Sequence, residues 1–512
     1  MGCVTSRSSR KNGKNIFITG GSGFIGKALI EKLLRSCPGL GNIYVLLRSK
    51  KGKTLYSRVE QILNCPLFTL LKQEHAESLK KIIPIQGDIT EIGFALSAND
   101  ESILINEVDI FFHIAASVKF DDFLKDAILT NIRGTREAAS LALKMKRIEV
   151  FMHVSTAYCN VDKSKYLEEI LYPSRGDWKE ALLVAENCNS TTLSIFSQKY
   201  ISQFPNTYTY TKQLAEHCVN DMLLGEIPTV IFRPSVVVST ITDPMVGWID
   251  NFNGPVGLAI AAGSGLLRCA YGDGNVESDY IPVDNAIKLM ISAAWNKASI
   301  ETPNELQIYH GSKYKTSQFK FGAYITFGKQ LFWDEPFENK IWTPAAAITT
   351  NWLYYFLNVI LFQIVPALLL DTIMVLAQLK PRLFKIQRKI YVANMALYPF
   401  MLNEWQFINT EARRLLQQIP RTEMVDFNFN VFPKDDRSIY EYYLISCSHA
   451  RVHLLKENKE KTNRTIIKTL VMYYLDKLVK VAAFLLTAWT LLFKIDILQI
   501  LWKGSSTYWD SS

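Results

Sequence analysis

The stretch Asn15–Gly26 reads NIFITGGSGFIG and decides the fold of the chain. Residues Ile16–Thr19 favour a short β-strand, which leads directly into the pattern Gly20-x-x-Gly23-x-x-Gly26. In such a turn the first glycine allows a tight bend, and the second lets the backbone approach a pyrophosphate. The third lets the following helix pack closely on the strand. A merely structural turn is the alternative reading of three spaced glycines.

An amphipathic helix is predicted to follow over Lys27–Leu34, and this context favours dinucleotide binding over a structural turn. The N-terminus of this helix would place its positive dipole end at the phosphates, and Phe24 and Ile25 lie in the turn just before it. Together with the three glycines, they are the expected pyrophosphate-binding residues.

Composition and charge exclude several classes of protein. The chain has 512 residues, enough for two or three domains, and its net charge of +9 is scattered rather than gathered on one stretch. We therefore expect no nucleic-acid partner, whereas anionic cofactors and membrane surfaces suit the charge. The eight cysteines form no CxxC pair, so neither a disulfide framework nor a metal site is expected. A reducing compartment follows.

The N-terminus, residues 1–14, is a polar and basic tail without a secretory signal pattern. Its first residues fit the N-myristoylation pattern at Gly2, with Cys3 placed for a second acyl chain and basic residues behind. Two such signals would hold a protein stably on a membrane. A disordered tail that begins by chance with Met-Gly is the alternative.

Strand-like and helical runs alternate from residue 15 to about 300, which predicts a Rossmann-like, doubly wound parallel sheet of the α/β class. Segment 256–335 is less regular and is expected to form a smaller substrate lobe, so the whole domain is placed at 15–335. The strands expected after the first are Ile43–Leu47, Lys81–Gln86, Val108–Ile114, Val150–Ser155 and Thr229–Arg233, and helices are expected at Asn131–Met145 and Tyr210–Leu224.

The last third of the chain is more apolar. Segment 341–370 carries no charge, and Trp352–Leu370 is long enough to cross a bilayer, although Asn358, Gln363 and Pro366 interrupt it. A mainly helical C-terminal domain is expected at 371–460. A C-terminal membrane anchor is expected at 467–503, around the apolar run Val481–Phe493.

Residues after three further strands could complete a cofactor site. Arg48 and Lys51 follow the second strand, where a cation favours the 2′-phosphate of NADPH and an acid would favour NAD. Asp88 and Ile89 follow the third strand, where an acidic group can meet the adenine. The small pair Ala115–Ala116 follows the fourth, where a cofactor must pass closely.

The pattern Tyr-x-x-x-Lys places a phenol and an ammonium one helical turn apart, and a nearby ammonium lowers the pKa of a phenol. It occurs at Tyr208/Lys212, Tyr309/Lys313 and Tyr473/Lys477, so at least two matches are chance. Only the first is predicted to open a helix between the fifth and sixth strands, at the edge where cofactors bind. Ser155 and Thr156, at the end of the fifth strand, could polarise a carbonyl.

Read together, these motifs resemble the animal fatty acyl-CoA reductases, which are alcohol-forming members of the extended short-chain dehydrogenase/reductase superfamily. The similarity covers roughly residues 15–455. The runs that carry it are TGGSGFIG, LLRSKKG, GDIT, HIAASVKFD, HVSTAYCN, PNTYTYTKQLAE, RPSVV, GWIDNFNGPVG, IPVDNA, LLDTIMVLAQLKPRLFKIQRKI and LNEWQF.

The resemblance implies reduction of a long-chain acyl-CoA to an alcohol by two NADPH through an aldehyde-level intermediate. It implies that Thr156, with Ser155 beside it, and Tyr208 stabilise the oxyanion, and that Tyr208 donates the proton. Lys212 would lower the pKa of Tyr208 and hold the nicotinamide ribose. An active site facing the cytosol, on an endoplasmic reticulum or peroxisome membrane, is expected, and homo-oligomerisation is possible.

Two alternatives stay open at this stage. One is an extended reductase that acts on a sterol or another bulky carbonyl compound. The other is a catalytically inactive protein that tethers membranes through the same scaffold. The glycine loop and the Tyr208/Lys212 pair argue against inactivity, and the resemblance of the C-terminal domain argues against the sterol reductase.

Overall fold

The computed structural model describes residues 13–490 apart from 51, 202, 301–303, 317–319, 459 and 461. Gly2, Cys3, Lys51 and the end of the Val481–Phe493 run lie outside the described residues. The strands are β1 (Ile16–Thr19), β2 (Ile43–Leu47), β3 (Ile82–Gln86), β4 (Ile110–His113), β5 (Val150–Val154), β6 (Tyr166–Leu167), β7 (Thr229–Pro234), β8 (Val236–Val238), β9 (Cys269–Tyr271), β10 (Tyr280–Pro282), β11 (Gln307–Gly311), β12 (Ala347–Thr349) and β13 (Gln406–Phe407).

The α-helices alternate with the strands in the first part of the chain and dominate the rest. They are α1 (Phe24–Ser36), α2 (Leu55–Leu63), α3 (Thr69–Glu74), α4 (Ala98–Glu107), α5 (Leu124–Ile128), α6 (Gly134–Lys144), α7 (Trp178–Asn187), α8 (Ser190–Tyr200), α9 (Thr207–Leu223), α10 (Pro255–Gly263), α11 (Val283–Ile300), α12 (Phe321–Asp334), α13 (Trp352–Val359), α14 (Val365–Leu376), α15 (Leu383–Leu402), α16 (Thr410–Gln418), α17 (Met424–Phe427), α18 (Asp436–His453) and α19 (Asn463–Trp489).

A seven-stranded parallel sheet in the order β11-β7-β5-β4-β1-β2-β3 forms the centre of the molecule. Strand β1 lies between β2 and β4, with Ile16 opposite both Ile43 and Ile110. The chain order reverses at this point, so a crevice opens at the carboxyl ends of β1 and β4, where ligands of doubly wound sheets bind. The predicted fold class is confirmed.

Helices cover both faces of the sheet, so its strands are apolar on both sides. Ile16 and Ile18 of β1 pack into the core shared with α1 and α11, whereas Phe17 packs into the core shared with α6 and the end of α9. The edge strand β11 was not predicted. It lies in the segment expected to be irregular, and pairs in parallel with β7.

The C-terminal region packs directly on the sheet domain. The Tyr442 hydroxyl of α18 donates to the carbonyl of Ser239 at 2.7 Å, and strand β13 pairs with β6. The carboxylate of Glu169 accepts backbone N–H bonds from Glu411 and Ala412 at the start of α16. The domain boundaries expected from the sequence stay a prediction.

One helix among the described residues is long and apolar enough to cross a membrane. It runs over Trp352–Leu376, through α13, a π-helical turn and α14, and only 17% of its most apolar window is buried. It turns back into α15, whose first backbone N–H groups are capped by Asp371. Helix α19 also exposes large apolar side chains, including Val471, Leu478 and Phe484.

Candidate functional site

The glycine turn is built for close approach to a ligand. Gly20 has a φ of +77°, and a Cβ atom there would lie 2.8 Å from the backbone nitrogen of Ala115. A Cβ atom on Gly26 would lie 2.3 Å from the Gly20 carbonyl oxygen. Helix α1 begins at Phe24, three residues before the predicted start, and Gly23 at its N-cap has no side chain to cap it. The first N–H groups of α1 therefore remain available to an anion.

The residues expected around the adenosine half come together after β2 and β3. The Arg48 guanidinium Nε lies 3.2 Å from the Asp88 carboxylate, and the Arg48 side chain is 57% exposed, so it is accessible to a ligand. Asp88 also accepts hydrogen bonds from the backbone and hydroxyl of Thr90. The Ile89 side chain is buried next to Gly134, so only its backbone can reach a ligand.

A buried polar chain joins the ends of β1 and β4. The Thr19 hydroxyl lies 2.9 Å from Nδ1 of His113, and it accepts a hydrogen bond from the backbone N–H of Ala115. Burial lowers the pKa of His113 to about 3, and the nearby Lys212 adds to this shift, so the imidazole is neutral. Ala115 and its neighbour Ala116 are therefore fixed beside the glycine turn. The sequence analysis did not identify Thr19 or His113.

Tyr208 and Lys212 lie in the first turns of α9, which Asn206 caps by accepting from the N–H of Thr209 at 2.9 Å. Burial raises the pKa of Tyr208, while a hydrogen bond with the Thr156 side chain opposes that rise. This direction differs from the expected one because burial, which the sequence does not reveal, has the largest effect. The hydroxyls of Tyr208 and Thr156 form a pair that can donate hydrogen bonds to one carbonyl oxygen.

The Lys212 ammonium is buried at the carboxyl end of β5. It donates to the carbonyl of Val154 at 2.6 Å and lies 3.2 Å from Nε2 of His153. Burial lowers the pKa of Lys212 to about 8, although the carboxylate of Glu216 acts in the opposite direction. The amine is thus held at the carboxyl end of β5 by two hydrogen bonds.

Ser155 and Thr156 face opposite directions, as consecutive residues of an extended segment do. Thr156 has extended backbone angles and its side chain bonds Tyr208, whereas Ser155 is 2% exposed and its hydroxyl is buried on the side of the Glu216 carboxylate, without a hydrogen-bond partner among the described residues. The structure therefore joins Thr156 to Tyr208 at the carboxyl end of β5, the same edge of the sheet that carries the glycine turn after β1. Ser155 contacts the interior.

Asn131 is a third residue of the site that the sequence alone does not reveal. It lies in a π-helical turn, Leu129–Arg133, at the start of the helix predicted for Asn131–Met145. Its Oδ1 accepts from the backbone of Ser117, and its Nδ2 donates to the hydroxyl of Thr211 at 2.9 Å. Asn131 thus joins the loop after β4 to α9, between Tyr208 and Lys212. A π-turn has no clear sequence pattern, although it often marks a functional site.

Partly exposed aromatic rings line the side of the crevice next to Tyr208. We call them the aromatic wall, which consists of Phe120, Tyr158, Phe400 and Trp405. The ring of Phe120 lies 5.8 Å from that of Tyr208 and 5.5 Å from that of Phe400. Tyr158 lies 5.1 Å from Phe400. The C-terminal region therefore contributes directly to the site.

Two family models described as Male sterility protein match the chain, over residues 18–290 and 362–457. Fatty acyl-CoA reductase 1 of Xenopus laevis is 37% identical over 447 residues, which cover 87% of this chain and 85% of the relative. The chain belongs to the fatty acyl-CoA reductase family. Fatty acyl-CoA reductase wat of Drosophila melanogaster is 33% identical over 482 residues, 93% of this chain and 91% of that protein.

Solved structures agree on the fold. The terminal R domain of the myxalamid PKS-NRPS pathway has a TM-score of 0.58 at 19% identity, covering 85% of this chain and 91% of that domain. A reductase domain of a nonribosomal peptide synthetase from Mycobacterium tuberculosis has a TM-score of 0.54 at 14% identity, covering 86% and 92%. The family resemblance is confirmed, and this member is an oxidoreductase with a fold for a nicotinamide cofactor.

Proposed function

We propose that this protein reduces long-chain fatty acyl-CoA to primary fatty alcohol, with NADPH as the reductant and an aldehyde-level intermediate. The observation that carries the proposal is the hydrogen bond between Tyr208 and Thr156 at the carboxyl end of β5, on the same edge of the parallel sheet as the glycine turn that follows β1. Membership of the fatty acyl-CoA reductase family supports the substrate class. The sterol alternative has no specific observation in its favour.

The residues present fit a dinucleotide. The glycine turn leaves no room for side chains, and the first turn of α1 offers uncapped N–H groups for the pyrophosphate. Arg48 would hold the 2′-phosphate, Asp88 would lie near the adenine, and Lys212 would hold the nicotinamide ribose. The cofactor, when bound, supplies the hydride.

The side chains of this protein would stabilise the negative charge that develops on the substrate oxygen and would transfer the proton. The thioester carbonyl oxygen would accept hydrogen bonds from Thr156 and Tyr208, which stabilise the oxyanion as hydride reaches the carbon. Collapse of that intermediate breaks the carbon–sulfur bond and releases CoA thiolate, leaving an aldehyde. Once the oxidised cofactor is exchanged for a second NADPH, the aldehyde oxygen would accept the same hydrogen bonds, and Tyr208 would give its proton to the resulting alkoxide to complete the alcohol.

The exposed apolar helices support a location at a membrane. We place Trp352–Leu376 and α19 in the membrane interface. If Trp352–Leu376 instead crossed the membrane once, the active site and the basic residues at positions 380–389 would lie on opposite sides of the membrane. Asp371 lies inside this helix as a capping group, which fits an interfacial position better than a lipid-facing span. The active site would then face the cytosol, on the endoplasmic reticulum or peroxisome. The basic residues are Lys380, Arg382, Lys385, Arg388 and Lys389.

The test uses the purified full chain with a panel of acyl-CoAs and NADPH, and identifies the products. We expect fatty alcohol from the native protein and none from Tyr208→Phe, which removes only the proton donor. Tyr309→Phe and Tyr473→Phe are matched controls from the other two Tyr-x-x-x-Lys sequences, and both should retain activity. Near-normal turnover by Tyr208→Phe would overturn the mechanism, and the absence of alcohol with every acyl-CoA would overturn the function.

A further inference from the structure

Phe400 is the one residue of the aromatic wall that comes from helix α15. Its ring contacts Phe120 and Tyr158, and Phe120 lies next to the ring of Tyr208. The side chain of Thr156 is linked to the same wall, because its hydroxyl accepts a hydrogen bond from the backbone N–H of Tyr158 at 3.3 Å. A chain attached to a carbonyl at Tyr208 and Thr156 therefore meets these rings first.

A second set of aromatic contacts lies on the other face of α15, near the surface. Tyr398, two residues before Phe400, lies 5.8 Å from the ring of Tyr271, which in turn lies 5.2 Å from Trp352. Tyr398 and Trp352 are 38% and 47% exposed. Trp352 begins the apolar helix, and exposed tryptophan and tyrosine favour the membrane–water boundary. Helix α15 thus carries Phe400 on the face towards the reacting groups and Tyr398 on the opposite face, towards this surface.

The position of Phe400 is fixed by the residues after it. The carbonyl of Met401 accepts from the backbone N–H of Asp273 at 2.9 Å, and the buried Met401 side chain packs on Gly272. Trp405 donates from its indole nitrogen to the carbonyl of Val161 at 3.2 Å. The backbone that follows Phe400 is therefore held to the sheet domain, so the Phe400 ring has a defined position.

We propose that the acyl chain of the substrate runs from Tyr208 past Phe120 and along Phe400 of the aromatic wall. Phe400 is then a specificity-determining residue, through which the C-terminal region selects long apolar chains. The proposal rests on the proposed function and adds the course of the chain. The faces of these rings favour methylene groups and disfavour the polar CoA moiety, which must leave the site on another side.

The decisive variant is Phe400→Ala, assayed with hexadecanoyl-CoA and with butanoyl-CoA. Loss of the ring removes apolar contact only from chains long enough to reach it, so kcat/KM for hexadecanoyl-CoA should fall by about tenfold. For butanoyl-CoA, kcat/KM should change by less than about twofold. The KM for NADPH should stay unchanged, because Phe400 lies away from the glycine turn.

Two controls keep the test sharp. Phe384→Ala makes the same change near the opposite end of α15, on a side chain that is 41% exposed, and should leave the chain-length preference unchanged. Phe400→Leu keeps an apolar side chain and should lose less than Phe400→Ala. Equal effects of Phe400→Ala on both substrates, or none, would overturn the route while the native enzyme still made alcohol. Absence of alcohol from the native enzyme would instead refute the proposed function.

Discussion

Replacing Glu216 by leucine should destabilise the protein strongly, because it would leave Arg233 buried without its counter-charge. The two side chains are each about 1% exposed, and their paired hydrogen bonds measure 2.7 and 2.8 Å. Burial acts to raise the pKa of Glu216, but the guanidinium of Arg233 outweighs it and the net shift is downward. The Glu216 carboxylate is therefore charged at neutral pH.

The magnitude follows from the burial of both ions. Removal of one partner from a buried ion pair costs about 3–5 kcal/mol, since the remaining charge is uncompensated. Each kcal/mol lowers the melting temperature of a domain of 150–250 residues by about 2–4 °C. For this larger protein the lower value is appropriate, so Glu216→Leu should lower the melting temperature by about 6–10 °C.

The assay is thermal unfolding of the purified full chain, followed by tryptophan fluorescence. The control is the double variant Glu216→Leu/Arg233→Met, in which apolar groups replace both charges. Because such replacements are often nearly neutral, the double variant should melt above Glu216→Leu alone. Some loss will remain, since Cys159 donates to Glu216 and His310 lies 3.4 Å from Arg233. Purely additive losses from the two substitutions would refute the reasoning.

Four further results are expected. Arg48→Ala should raise the KM for NADPH by about tenfold and leave that for NADH unchanged; equal efficiency of the native enzyme with both would contradict it. Gly26→Ala should weaken NADPH binding in a fluorescence titration, because its Cβ would meet the Gly20 carbonyl at 2.3 Å. Burial raises the pKa of Glu169 to about 7, although hydrogen bonds from backbone N–H groups act in the opposite direction. Between pH 4.5 and 7 the folded protein therefore keeps a proton that the unfolded chain loses, so the contribution of Glu169 to stability falls as the pH rises through that range. Glu169→Gln should make the melting temperature less dependent on pH across that range. Asn463, which starts α19, should carry no glycan in intact cells if the active-site side is cytosolic, and a mobility shift with an endoglycosidase would overturn that topology.

The cofactor half of the molecule was predictable because its determinants are local. Strand, glycine turn and helix follow one another within Asn15–Gly26, and the sheet order then places their crevice. Strand β11 was missed because its five residues gain their strand character from pairing with β7, which lies far away in the sequence. Periodicity cannot reveal such a partner.

The substrate half was less predictable for the same reason. Contacts between Phe120 and Phe400 join distant parts of the chain, and neither residue stands out in its own segment. Burial was equally hidden: the spacing of Tyr208 and Lys212 suggested a lowered pKa for the phenol, whereas the folded environment raises it. The roles of the site residues and the acylation expected at Gly2 stay predictions.

The pairing of β6 with β13 bears on how this protein can be recombined with its relatives. Register joins Tyr166 to Gln406 and Leu167 to Phe407, and Lys32 of α1 forms an ion pair with Asp426 at 3.3 Å. A chimaera crossed over between the two matched regions would inherit one side of each contact from each parent. We expect such chimaeras to fold and to be active only when both sides of each contact come from the same parent. The two matched regions must therefore be exchanged together.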